Sequence, residues 1–105
     1  MRRPYCYIVE NKKGHDLGSA EVYGDVMIVY QHPPADVFML SKHAFTLKTL
    51  LDEAQPSDYL IVSGNMILAM LAFSVLLKKF GSVNVLLFDV RNNQYVPRVV
   101  AQHQL

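Results

Sequence analysis

A single cysteine, Cys6, excludes any intrachain disulfide and suits a reducing compartment. It sits among β-branched and aromatic neighbours, so a buried thiol acting as a small hydrophobe is expected there, not a nucleophile. Charge is also sparse: Asp, Glu, Lys and Arg make up 18% of 105 residues, and the net charge is +1. That balance excludes the clustered basic face that gripping DNA or RNA requires. Arg2 and Arg3 lie at the terminus, and Lys12 and Lys13 form a pair, not a patch. The histidines (His15, His32, His43 and His103) show no metal-ligand spacing with cysteines or acids. There is no G-x-S-x-G elbow, no P-loop and no G-x-G-x-x-G. No catalytic residue, metal or cofactor is therefore assigned. The first residues lack the continuous apolar segment of a signal peptide. Residues 59–77 carry no charge, but Ser63-Gly64-Asn65 divides them, and the apolar run that follows is too short to cross a bilayer. Neither a membrane nor nucleic acid is an expected partner, and the expected location is the cytoplasm.

Apolar residues, by contrast, are plentiful at 51%. For one small domain spanning residues 1–105 this leaves more apolar surface than a core needs, so burial between subunits, and hence a homo-oligomer, is expected. The apolar segments alternate between strand and helix patterns. Residues 5–9 are β-branched and aromatic and read as a first strand. A polar loop ends it, and Asp16 is placed to cap a short helix over 17–23 that Gly24 closes. Residues 26–30 form a continuous apolar strand of the kind covered on both faces in parallel sheets. Two prolines, Pro33 and Pro34, break the chain. Ser41 then reads as the cap of a second helix, with Ala44, Leu47, Leu51 and Ala54 as its inward stripe and Pro56 as its stop. Lys48 and Asp52 are spaced to pair on its surface.

Residues 59–62 form the third strand. Residues 66–80 form a helix apolar nearly all round, with Lys78 and Lys79 in its last turn and Gly81 beyond it. Such a helix covers the sheet with one face and should meet another subunit with the other. Residues 83–88 and 95–100 form two more strands. They are joined by a turn at Asp89-Val90-Arg91-Asn92-Asn93, with Pro97 directing the last strand to a sheet edge. The expected fold is α/β: a single Rossmann-like three-layer domain with a mostly parallel five-stranded sheet, strand order 2-1-3-4-5, and an antiparallel edge strand.

In that order the topological switch lies between strands one and three, and ligands gather outside the carboxyl ends of the strands at such a switch. Two loops reach it. The first supplies Asn11, Lys13, Gly14, His15 and Asp16; the second supplies Ser63, Gly64 and Asn65. Both carry a glycine and open a helix N-terminus, where backbone N–H groups favour an anion. These eight residues are the expected ligand-binding set. His15 and Lys13 would meet a phosphate or carboxylate, and Asp16 would orient the imidazole. Each loop also reads as an ordinary turn with a capping residue.

The run Gly14-His15-Asp16, followed by Ala20-Glu21 and an aromatic with Gly24, resembles a family of short, uncharacterised tailed-bacteriophage proteins. Asp58-Tyr59-Leu60-Ile61-Val62 and Gly81-Ser82-Val83-Asn84-Val85-Leu86-Leu87-Phe88, with Tyr95 and Arg98 beyond, extend the similarity over most of the chain. The resemblance implies a phage accessory protein acting in the host cytoplasm. Three functions stay open. One is a binder of a small anionic, nucleotide-like ligand that works without catalysis, for example by sequestering a host immune signal. Another is an interaction module that inhibits a host protein through an apolar surface including Phe38, Met39 and Leu40. The last is a small hydrolase using His15 and Ser63.

Overall fold

The structure is a computed structural model that describes all residues except Met1, Lys12, Lys13 and His15. Five strands form one mixed sheet: β1 (Tyr5–Ile8), β2 (Asp25–Ile28), β3 (Tyr59–Ile61), β4 (Ser82–Asp89) and β5 (Gln94–Ala101). Their order is β2-β1-β3-β4-β5, the order expected from the strand–helix alternation. β1, β2, β3 and β4 run parallel, and β5 returns antiparallel beside β4. Pro97 stands on that edge strand opposite Leu86, where its missing N–H breaks no second ladder.

Two α-helices, α1 (Leu40–Leu50) and α2 (Met66–Phe80), share one core with the sheet. Tyr7, Val9, Leu60, Val83 and Val85 face them from the strands, and Leu47, Leu51, Leu68, Ala72 and Leu76 answer from the helical side. The expected inward stripe of α1 is observed, with Leu47, Leu51 and Ala54 buried. Gly81 ends α2 in the left-handed conformation at φ 77°, and its N–H donates to Leu77 O. Lys79 does more than complement its own helix: its Nζ donates to the carbonyls of Leu51 and Ala54, satisfying acceptors just past the end of α1. α2 is not enclosed all round by its own chain. Met66, Met70, Ser74 and Lys78, spaced four apart, form an exposed stripe.

The opposite face is covered more thinly than expected. A 3-10 helix over Gly18–Val22 stands where an α-helix was anticipated. Gly14, Gly18 and Gly24 crowd this segment, and glycine disfavours a sustained α-helix. In place of the expected third layer, this face carries one short turn over a second core of Cys6, Ile8, Ala20, Ile61, Leu86 and Tyr95. Gly24 is confined by close approach: a Cβ there would run into the Pro4 carbonyl, which already accepts from Asp25 N at 2.9 Å.

Two further expectations need correction. Ser41 does not cap α1, which begins at Leu40 without a side-chain cap. His43 Nε2 bonds Asp36 O and ties down the preceding loop, so the chain enters the helix earlier and leaves Ser41 in its first turn. Lys48 and Asp52 do not pair, because α1 ends at Leu50 and Asp52 falls in the turn beyond, off the helical spacing. Among the described residues the ion pairs are Arg2–Asp58 and Arg3–Asp25.

Asp58 is the most heavily bonded side chain at the amino end of the sheet. Its oxygens accept from both Arg2 Nη atoms (2.9 and 2.8 Å), Tyr5 N (2.9 Å) and Gln55 N (2.8 Å). Burial alone would raise its carboxyl pKa, but the Arg2 fork and the two amides outweigh burial and hold it below the ordinary value. Asp58→Ala should cost about 2–3 kcal/mol, because buried amides lose their acceptor. A lowered folded-state pKa gives stability that is full above the unfolded value, about 3.9, and lost as pH falls through the folded value. The gap between parent and Asp58→Asn in urea melts should therefore be widest near neutrality and close below about pH 4. Cys6 is fully enclosed, and burial pushes its thiol up to about 11. Thiol reagents at pH 8 should label it on unfolding and spare it in the native protein; fast native labelling would contradict this packing.

Candidate functional site

Two recesses open at the carboxyl edge of the sheet, where parallel strands present their ends to solvent. The first, of about 340 Å³, is lined by Asp16, Ser19, Val62, Ser63, Phe88, Asn93 and Tyr95. Its floor follows from the ladder, since Val62 N still donates to Leu86 O just past β3. Asp16 and Ser19 come from the start of the 3-10 helix, and Phe88 and Tyr95 from the β4–β5 hairpin. The two rings meet edge to face at 5.2 Å. Burial, and after it the Asp16 carboxylate, pushes the Tyr95 phenol up, so it stays a neutral hydroxyl.

The second recess, of about 250 Å³, lies at the ends of β1 and β2 and is lined by Glu10, Asn11, Ile28, Tyr30, Gln31 and Pro33. Between the recesses stands Gly64. Its φ is +87°, and a Cβ there would lie 2.8 Å from Glu10 O and 3.1 Å from Val9 Cγ2. The loop after β3 thus lies directly against the end of β1, at the switch.

The expected binding residues divide. Asp16 and Ser63 share the first recess, and Asn11 lines the second with Glu10. Gly14 N donates to Asn11 O at 3.0 Å and closes the turn after β1. Asn65 turns inward as the α2 cap, its Oδ1 accepting from Ile67 N (3.0 Å) and Leu68 N (3.1 Å). Asp16 Oδ1 likewise accepts from Gly18 N at 2.8 Å. The backbone donors expected to hold an anion at these two helix starts are thus partly occupied by their own caps. Lys13 and His15 lie outside the described residues. Asp89 serves the hairpin, accepting from Arg91 N and Asn92 Nδ2.

Sequence reasoning missed Ser19, Asn93, Tyr95, Glu10 and Tyr30. Glu10 had a signal, being a charged residue that directly follows the apolar run of the first strand. The others come from distant segments that only the fold brings together. A larger groove, of about 430 Å³, lies away from this edge, between α1 and α2, among Ala44, Phe45, Lys48, Asp52, Val75, Lys78 and Lys79. Among the described residues no three His, Cys, Asp or Glu side chains gather as a metal site would need. No helix among them is long and apolar enough to cross a membrane.

The family model of the phage Pam3 gp32-like protein matches residues 5–102, which takes in all five strands, both helices and both recesses. The chain belongs to that family. The resemblance to a phage protein family is therefore a membership, and the two recesses are features of a phage protein. No curated protein and no solved structure matches the chain.

Gly64→Ala should cost about 1–3 kcal/mol, since a side chain there meets backbone at a positive φ. Urea denaturation at pH 7 is the measurement, and an unchanged midpoint would contradict the close approach to Glu10.

Proposed function

We propose that this phage protein binds a small, polar, nucleoside-like ligand without turning it over, at the carboxyl edge of its sheet. The observation that carries the reading is the wall chemistry of the first recess. Asp16, Ser19, Ser63 and Asn93 offer a carboxylate, two hydroxyls and an amide, and Phe88 and Tyr95 add aromatic surface. Hydroxyls and carboxylates match the donors and acceptors of a sugar, and aromatic walls match the flat face of a ring. The volume, about 340 Å³, is that of a small-molecule site.

The ligand expected from the helix starts was anionic. The caps described above weaken a phosphate site at those amides, so the sugar-like portion of the ligand fits the described walls best. The sequence assigns a phosphate to Lys13 and His15, which lie outside the described residues. Binding without turnover is the chemistry of a sponge: in the host cytoplasm it would withhold a small signalling molecule, and a homo-oligomer would multiply the sites. A second reading has its own observation. Phe38 is 79% exposed, with Met39, Leu40 and Phe45 also on the surface, which suits a module that inhibits a host protein.

Native mass spectrometry of the full chain purified from expressing cells, followed by denaturation, tests the first reading. A stoichiometric small molecule should be released from the parent and be lost from Asp16→Asn combined with Ser63→Ala. A ligand-free parent that instead retains a host protein would favour the second reading.

A further inference from the structure

We propose that Glu10 and Tyr30 form a recognition site for a ligand edge with paired N–H donors, a guanine base or a guanidinium. Glu10 is only 8% exposed, and its Oε2 is enclosed without a hydrogen-bond partner. The Tyr30 hydroxyl is enclosed and unpartnered as well. Buried polar side chains are nearly always bonded, and a carboxylate shut away from water without a donor is among the costliest of exceptions. Here the residues that carry two such groups line one recess at the carboxyl ends of β1 and β2, the edge at which sheets of this class hold their ligands.

The local structure holds both groups in place. Tyr30 N donates to Val9 O at 2.9 Å, which carries the β1–β2 ladder to the mouth of the recess and sets Tyr30 beside the Glu10 backbone. Gly64 closes the other side, its missing side chain leaving room for Glu10 Cγ. A carboxylate only accepts, and its two oxygens match two parallel N–H donors. A guanine edge and a guanidinium both present such a pair. The phenol both donates and accepts, and burial pushes its pKa up, so it stays a hydroxyl. Ile28 and Pro33 give apolar walls for a flat group. The Gln31 amide is already turned back to Ile28 O.

This inference rests on the reading of the carboxyl edge as a ligand-binding edge, but the recess shares no lining residue with the first. Calorimetric titration of the full chain with guanosine, inosine, adenosine and agmatine tests it. Guanosine or agmatine should bind, and which of them does separates base from guanidinium. Inosine, which lacks the second donor, and adenosine should bind at least about tenfold more weakly than guanosine, as loss of one charge-assisted bond implies. Glu10→Gln should lose at least about tenfold, and Tyr30→Phe a smaller factor. Without ligand, Glu10→Gln should melt about 4 °C or more above the parent, because the orphaned charge is gone. Asp16→Asn with Ser63→Ala should leave guanosine or agmatine binding unchanged, so the wider recess can fail alone. Three results would overturn the proposal: no binding of guanosine or agmatine to the parent, unchanged binding in Glu10→Gln, or a Glu10→Gln melt below the parent. The last would mean that a bridging water satisfies a structural carboxylate.

Discussion

Asp58 ties the amino end of the sheet together. One carboxylate joins the N-terminal Arg2, the first amide of β1 and the turn that leads into β3. Asn84 of β4 adds to the same knot, its Nδ2 donating to Pro56 O and Asp58 O. The central strands β1, β3 and β4 are thus locked at one end by groups whose bonds are satisfied. Register follows from that lock, because a slip of one residue would turn every core side chain to the wrong face. The carboxyl end has the opposite character. Glu10 Oε2 and Tyr30 OH are enclosed without partners there, one recess is lined by these two residues, and a second opens farther along the same edge. Satisfied hydrogen bonds are concentrated at one edge and unsatisfied bonding capacity at the other.

The two faces are unequal in a related way. α1 and α2 bury one face deeply, and Lys79 fastens the end of α1 to α2. A single 3-10 turn covers the other face. The tilted pair Tyr23–Tyr59 and the Tyr23 hydroxyl, which donates to Tyr95 O at 3.3 Å, hold that turn against the sheet. Cover of one turn leaves the ends of β3 and β4 unroofed, and the first recess occupies that gap.

Part of the candidate site was legible in the chain. Asp16 and Ser63 share a recess because the strand order brings the loops after β1 and β3 to one edge, and that order is the simplest one for β-α-β alternation with right-handed crossovers. Asn65 was legible as a cap and behaves as one. Glu10 was overlooked because a lone acid at a strand end ordinarily points to water, and its enclosure depends on Gly64 and Tyr30, which come from other parts of the chain. Tyr95 and Asn93 were read as strand and turn, which they are, and their place in the recess depends on the hairpin folding back. Ser41 and the Lys48–Asp52 pair failed for a local reason: α1 is capped two residues before Ser41, at Met39, and ends at Leu50, four residues before the last position of its apolar stripe.

The sequence by itself determined the order of elements, the span of α2, the glycine that ends it and the antiparallel edge strand. These rest on short-range physics: apolar period, caps, and the missing N–H of proline. It also carried the family membership, since the match runs along residues 5–102. Only the tertiary structure decided which polar groups are shut away from water. Burial of a side chain is set by what packs over it, and Glu10, Tyr30, Asp58 and Tyr95 are covered by segments remote in sequence. The same cause thinned the third layer to one 3-10 turn. Whether a glycine-rich segment becomes a helix or a turn depends on the strand ends it must reach, and those positions exist only once the sheet has formed.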